Sequence, residues 1–409
     1  MSANNNNAIV LAYSGGLDTT YCAVYLSREL KREVHAVTVN TGGFTEDEIN
    51  DLETRAFAAG AKSFHCIDVR EQYYHDCIRF MIFGNVLKNG VYPLSVSSER
   101  IVQATAIANH AKTCGITAIA HGSTGAGNDQ VRFDMIFSQV YPEAEIVTPI
   151  RDNKLSREEE IEYLEEQGIH IDTTRAAYSI NKGIWGTSIG GRETLTSHLN
   201  LPEEAWPTPA TGTDPTDIVL GFTKGELSSL NGESYASPVD IIVRLQELAQ
   251  PYGIGRDIHV GDTIIGIKGR VGFEAAAPTI IIKAHYLLEK HVLTKSQLYW
   301  KENLAIWYGN ALHEGHMLDP VMRNIEQFFL HSQEMVTGKV FLTLLPFRFV
   351  LNGIESEHDL MSSRFGSYGE MNNTWTGNDV KGYTKIAGNQ TAIYHQVNQF
   401  AKSKSHANG

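Results

Sequence analysis

The chain is 409 residues long, 42% hydrophobic and 20% charged, with a formal net charge of −13 at pH 7. The length exceeds one ordinary core and predicts two domains, and the composition excludes a disordered chain. The acidic balance excludes a broad nucleic-acid surface, which needs clustered Lys and Arg, and no apolar run reaches the roughly 20 residues of a membrane-spanning helix.

The asparagine-rich start, Met1 to Asn7, lacks the basic and apolar pattern of a signal peptide, and the four cysteines, Cys22, Cys66, Cys77 and Cys114, show neither C-x-x-C nor zinc spacing. Both features predict a cytoplasmic protein with reduced, structural thiols. Ile9-Val10-Leu11-Ala12-Tyr13 is an apolar run too short for a helix and right for a buried parallel strand, and Tyr21, Val24, Tyr25 and Leu26 carry helical spacing after it. The turn between them, Ser14-Gly15-Gly16-Leu17-Asp18-Thr19-Thr20, is suited to phosphate. Two glycines let the backbone approach an anion, Ser14, Thr19 and Thr20 offer hydroxyls, and the free N–H groups of the following helix add positive potential. The run lacks the G-x-x-x-x-G-K-[ST] of a Walker A loop and the G-x-G-x-x-G of a dinucleotide fingerprint. It resembles instead the loop of the N-type ATP pyrophosphatases, which cleave ATP between its α and β phosphates. The plainer reading is an ordinary strand-to-helix turn capped by Ser14 or Asp18.

Further along, Glu33 to Asn40 reads as a strand closed by Thr41-Gly42-Gly43, Leu52 to Ala59 as helix, Ser63 to Val69 as strand, Ile101 to Thr113 as helix, and Ala118 to Ala120 as a strand ending at His121-Gly122. This alternation predicts a parallel sheet covered on both faces, with the loops after Tyr13, Val39 and Ala120 sharing one edge. Leu155 to Gly168 reads as a helix with a Ser156 cap and a solvated acidic face. Past a Pro, Gly and Thr-rich connection from Pro207 to Pro215, strands are predicted at 217–222, 260–267, 279–283, 339–345 and 347–351. Tyr299, Trp300, Trp307 and Tyr308 read as helix core, and His313-Glu314-Gly315-His316, whose histidines are three apart, as surface or packing residues without zinc-protease spacing. A weakly amphipathic helix over Asp379 to Val397 precedes a disordered tail, Lys402 to Gly409.

A second glycine-rich loop, His121-Gly122-Ser123-Thr124-Gly125-Ala126-Gly127-Asn128-Asp129-Gln130-Val131-Arg132-Phe133, begins where the strand ending at Ala120 stops. Its Thr124, Asn128, Asp129 and Arg132 have the hydroxyl, amide, carboxylate and guanidinium groups that read an amino acid. With the first loop it closely resembles the second signature of the argininosuccinate synthase family. Tyr92-Pro93-Leu94-Ser95-Val96-Ser97 with Arg100 resembles that family's citrulline segment, and the likeness continues through Tyr178 to Lys182, Trp185 to Ser188 and Ile265 to Arg270.

The resemblance implies an α/β protein in which residues 1–170 form a doubly wound, adenine nucleotide alpha hydrolase-like parallel-sheet domain. Residues 171–375 would form a mixed α+β synthetase and multimerisation domain, and 376–409 an oligomerisation helix and tail. It places ATP on Ala12, Tyr13, Ser14, Gly15, Gly16, Leu17, Asp18, Thr19, Thr20, Val39 and Gly122, aspartate on Thr124, Asn128 and Asp129, and citrulline on Tyr92, Ser97, Asn128, Arg132, Ser179 and Ser188. It also implies Mg²⁺ on the phosphates, a homotetramer, and an AMP-forming C–N ligase acting through citrullyl-AMP. A glutamate and a tyrosine that contact citrulline in the family align with Gly261 and Phe273, so either Asp262 takes over the carboxylate role or citrulline is held differently here. No obligatory base is assigned, since Asp129 could orient or deprotonate the aspartate amine. Two other classes compete: a tRNA thiolase or another amidotransferase-type pyrophosphatase, with the lone cysteines and acidic charge weighing against a thiolase, and a non-catalytic nucleotide-binding or regulatory protein, against which the intact loop residues weigh.

Overall fold

The computed structural model describes residues 7–170, 178–361, 366, 368–370 and 374–407. They divide between a unit ending at His358 and a second beginning at Asp359.

The first unit opens on alternating strands and helices: β1 (Ala8–Ala12), α1 (Leu17–Arg28), β2 (Glu33–Asn40), α2 (Glu46–Ala58), β3 (Ser63–Asp68), α3 (Arg70–Tyr73), a π-turn (Tyr74–Ile78), α4 (Arg79–Phe83), α5 (Ser95–Cys114), β4 (Ala118–Ala120), α6 (Asp129–Val140), β5 (Glu145–Val147), α7 (Pro149–Asn153) and α8 (Arg157–Glu166). The strands form one parallel sheet of order β3-β2-β1-β4-β5. Both faces are covered: Ile9 and Leu11 pack with α1, α2 and α8, whereas Val10 and Ala12 pack with α5 and α6. That two-sided burial is why β1 is apolar at every position. Chain order reverses at β1, which has β2 on one side and β4 on the other, so a crevice opens between the carboxyl ends of β1 and β4.

The remainder of this unit contains β6 (Tyr178–Gly183), β7 (Gly186–Gly191), β8 (Thr216–Thr223), β9 (Glu226–Leu230), β10 (Glu233–Ser234), α9 (Pro238–Ala249), β11 (Arg256–Asp262), β12 (Lys268–Glu274), α10 (Ala276–Val292), α11 (Lys295–Glu314), α12 (Pro320–Ser332), β13 (Gly338–Leu345) and β14 (Arg348–Glu355). These strands make two antiparallel sheets, β11-β12-β7-β6 and β10-β9-β8-β13-β14. The β6–β7 hairpin packs on α5 and so joins the parallel-sheet region to the rest.

Three expectations need correction. Residues 279–283 lie inside α10, because a short apolar run buried on all sides has no period that separates strand from helix. The strand expected over 260–267 ends at Asp262; residues 263–267 are a turn in which Thr263 N donates to the Ile267 carbonyl at 2.8 Å and Gly266 takes φ +84°. On α11 only Tyr308 of the four aromatics is buried, since the inward stripe is Lys301, Ala305, Tyr308 and Leu312; Tyr299, Trp300 and Trp307 are 59, 59 and 44% exposed. Among the described residues no helix is long and apolar enough to cross a membrane.

The second unit contains α13 (Gly377–Ala387) and α14 (Asn389–Ala407), two helices interrupted at Gly388 where the sequence predicted one. Within it Val380, Tyr383, Ile386, Ile393, Tyr394 and Val397 are exposed.

Candidate active site

The turn after β1 is shaped around two glycines. Gly15 takes φ +70°, a Cβ there would lie 2.3 Å from Cδ2 of Leu52, and its carbonyl accepts from Arg55 Nη1 at 2.9 Å. Gly16 is the N-cap of α1 and no side chain caps the helix, so its first N–H groups are open to an anion. The Ser14 and Thr19 hydroxyls meet at 3.2 Å beside that terminus, whereas Thr20 is buried and withdrawn from it. Ala12, Tyr13 and Val39 are buried at the same sheet edge, where Thr38 Oγ1 donates to the Tyr13 carbonyl at 2.7 Å. Leu17 packs inward at the start of α1. From the neighbouring strand, Gly122 closes the crevice: a Cβ there would lie 3.1 Å from the carbonyl carbon of Asp18.

Asp18 faces Glu160 of α8, and Glu160 departs from the solvated face expected of its helix, being only 2% exposed. Burial pushes Asp18 above the usual carboxylate range; burial and then the Asp18 charge push Glu160 up to about 8. At neutral pH the pair therefore holds a proton between its two carboxylates.

Past Gly122 the second loop is held by Gln130, whose Nε2 donates to the carbonyls of Gly125 and Gly127 at 2.7 and 3.2 Å. Thr124 stands exposed at its tip, and Asn128 Oδ1 accepts from Ile264 N at 2.8 Å, which docks the β11–β12 turn on this loop. Asp129 opens α6 and is clamped from two sides: Arg100 Nε donates to Oδ2 at 3.0 Å and Arg132 Nη1 to Oδ1 at 2.8 Å. Burial pushes the Asp129 carboxyl up, but the two guanidinium groups outweigh it and hold the group below the ordinary range. With both oxygens engaged, Asp129 is a positioning anion and a poor proton acceptor. Arg100 also reaches Asn181 Oδ1 on β6 at 2.5 Å, and Arg132 Nε donates to the His313 carbonyl at 2.9 Å. Next to Arg100, Glu99 accepts from Thr41 Oγ1 at 2.7 Å and Gln103 Nε2 at 2.8 Å, and burial lifts it to about 7.

The segment before α5 carries Tyr92 and the first turn of α5 carries Ser97, both buried, with Leu94 between them at φ +60°. A left-handed leucine costs on the order of 1–3 kcal/mol and persists because its surroundings enforce it: Ser97 and Ser98 donate to its carbonyl, and Trp185 Nε1 donates to that of Pro93 at 3.0 Å. Across the sheet Ser188 pairs with Asn181 on one side and Phe273 on the other, and Ser179 lies two residues before Asn181 on β6, exposed. The Phe273 ring sits 5.2 Å from that of Tyr92. Asp262 does not join this group: its side chain is 69% exposed and is bound to Lys268 Nζ at 2.5 Å across the hairpin.

Several site residues carried no signal that could be assigned a role. Arg55, Glu99, Glu160 and His313 meet the motifs only through the fold, over separations such as the 181 residues between Arg132 and His313. His313, read as a surface or packing residue, is buried against Arg132; burial and then that guanidinium push its imidazole down to about 2. An acid at 99, within a helical run of small and apolar residues, was the one local oddity available.

The family model described as "Arginosuccinate synthase N-terminal HUP domain" matches residues 8–170, and that described as "Arginosuccinate synthase C-terminal domain" matches residues 178–394. The chain is 33% identical to the argininosuccinate synthase of Xylella fastidiosa over 98% of its own length and all of the relative's. It is 35% identical to those of Dictyoglomus turgidum and Methanocaldococcus jannaschii, over 94% of this chain and 97% of each relative. The chain belongs to the argininosuccinate synthase family.

Proposed function

We propose that the chain joins L-citrulline and L-aspartate into argininosuccinate at the expense of ATP, releasing AMP and pyrophosphate. The observation that carries this reading is the placement, on one sheet edge, of an uncapped helix terminus flanked by Ser14 and Thr19 beside the Arg100–Asp129–Arg132 clamp. The first is a polyphosphate cradle, and the second can orient amino-acid substrates.

In this reading the nucleotide lies along residues 12–20, Val39 and Gly122, with the departing pyrophosphate on the α1 N–H groups. Thr124, Asn128 and Asp129 hold aspartate, and Tyr92, Ser97, Asn128, Arg132, Ser179 and Ser188 hold citrulline. The ureido oxygen forms a bond to the α-phosphorus as the bond to pyrophosphate breaks. The aspartate amine then attacks the ureido carbon, AMP leaves, and the amine proton passes to solvent. Alignment and charge neutralisation supply most of the acceleration of such a transfer, which suits a site built of positioned donors. Among the described residues no group of three or more His, Cys, Asp or Glu could hold a metal, so Mg²⁺ would ride on the phosphates, with Asp18 the one carboxylate of the loop. Bound there it would neutralise developing phosphate charge. The reading includes a cytoplasmic homotetramer, for which the exposed apolar residues of α13 and α14 supply an assembly surface.

The test is release of pyrophosphate and AMP from ATP and Mg²⁺, with citrulline and aspartate supplied singly and together. Stoichiometric release requiring both substrates is expected. ATP binding without release under any combination would refute catalysis and leave a nucleotide-binding protein.

A further inference from the structure

Strand β11 alternates its side chains between two faces, so His259 and residue 261 point the same way. Residue 261 is a glycine, and a Cβ built there would lie 2.5 Å from Nε2 of His259. The imidazole thus stands in the space that a side chain at 261 would need. The ring is 5% exposed and stacks on Tyr92 with centroids 5.0 Å apart, and Tyr92 in turn meets Phe273. Its Nδ1 is buried without a hydrogen-bond partner.

We propose that His259 selects the far end of the ureido substrate, with its Nε2–H donating to the substrate carboxylate. This rests on the citrulline-and-aspartate reading above and goes beyond it, because it makes selection at this wall depend on an anion and not on the α-ammonium. Three features argue for the carboxylate. The charged side chains acting on the ring are Lys88 and, more weakly, Asp257, and Arg132 lies beyond the neutral His313, so the balance favours an anion over an ammonium. Burial and then Lys88 hold the imidazole below its ordinary range, so it is neutral and carries a single N–H. A buried bare lone pair is better tolerated than a buried orphan N–H, which puts the proton on Nε2 and leaves Nδ1 as the bare lone pair. Positions 261 and 273 offer an ammonium no acceptor, since Gly261 has no side chain and Phe273 no hydroxyl, while Asp262 is bound to Lys268 and Asp257 accepts from Ile258 N.

The test compares KM for citrulline, for its primary amide, which lacks the carboxylate charge, and for 5-ureidopentanoate, which lacks the α-amine. The proteins are wild type, His259→Ala, and Gly261→Ala, whose methyl group would displace the ring without removing it. In the wild type the amide should raise KM at least about tenfold, as loss of a charge-assisted hydrogen bond does, and 5-ureidopentanoate should stay within about threefold. Both variants should shrink the amide penalty to within about threefold while the KM for ATP serves as the internal reference. An amide penalty that persists in both variants, or rejection of 5-ureidopentanoate by the wild type, would overturn the assignment while turnover of citrulline left the parent reading standing. Absence of any turnover of citrulline by the wild type would overturn both.

Discussion

The Asp18–Glu160 pair ties the pH dependence of stability to the phosphate loop. Glu160→Gln keeps the shape and leaves a neutral side chain at every pH. The rise of the Glu160 carboxyl from its ordinary 4.5 to about 8 corresponds, at about 1.36 kcal/mol per unit, to about 5 kcal/mol. Water reaches part of the pair, and screening leaves roughly 2 kcal/mol of that. The sign follows from a folded value raised above the unfolded one: the folded chain holds its proton more tightly, so the contribution is full below pH 4.5 and is lost as pH rises through about 8. Between pH 5 and pH 9 the wild type should therefore lose about 2 kcal/mol, about 3 °C in Tm for a unit of this size, that Glu160→Gln does not lose. Ionisation of Glu160 also adds a second negative charge beside the cradle, so the wild-type KM for ATP should climb above pH 8 more steeply than that of the variant. Thermal scans at five pH values and ATP saturation at pH 7 and 9 measure both effects. Parallel Tm curves for the two proteins would show that Glu160 ionises as an ordinary surface acid, and the reasoning would fail.

Arg100→Ala removes one jaw of the clamp and the contact to Asn181, and kcat/KM for aspartate should fall about 100-fold, near 3 kcal/mol, in a pyrophosphate-release assay. Gly122→Ala puts a methyl group 3.1 Å from the Asp18 carbonyl carbon, where α1 cannot yield, and should raise the KM for ATP about tenfold while leaving that for aspartate within about twofold. Asp262→Ala should leave the KM for citrulline within about twofold, because an exposed ion pair with Lys268 contributes at most about 1 kcal/mol. Removing residues from Gly377 onward leaves the chain without α13 and α14, and sedimentation should register a smaller assembly than that of the full chain.

The parallel sheet was legible because strands buried on both faces are written as unbroken apolar runs, and Ile9 to Tyr13 carries that pattern beside a glycine pair. Thr279 to Lys283 has the same local pattern and is helix, because tertiary burial on all sides erased the period that would separate the two. Tyr299, Trp300 and Trp307 misled for the opposite reason: bulk and aromaticity suggest core, yet the inward stripe of α11 runs through Lys301, Ala305, Tyr308 and Leu312. The motif residues at 14–20 and 121–132 could be marked from sequence, but their partners could not. Arg55 beneath Gly15, Asn181 against Arg100 and His313 against Arg132 are consequences of chain crossovers, and no local spacing encodes them. Asp262 failed as a replacement carboxylate because strand alternation sends residues 261 and 262 to opposite faces, a rule that a one-residue shift in an alignment cannot respect.

The placement of the cations resolves a tension in the composition. A chain with net charge −13 must attract ATP and two amino-acid carboxylates, all anions. Many of its acids lie on exposed helix faces such as Arg157–Glu166, where salt confines their field to a Debye length of about 8 Å. Arg132 is buried, Arg100 is nearly so, and Asp129 neutralises only one of the two guanidinium groups it holds. Buried charges are screened much less than exposed ones, so the local positive potential outlasts the distant negative one at physiological ionic strength. The acidic surface then keeps the protein soluble without closing the site to its substrates, provided that the buried acids nearest the cradle stay protonated. Glu160 at about 8 does that beside the phosphate loop, and Glu99 at about 7 carries about half its charge behind the clamp.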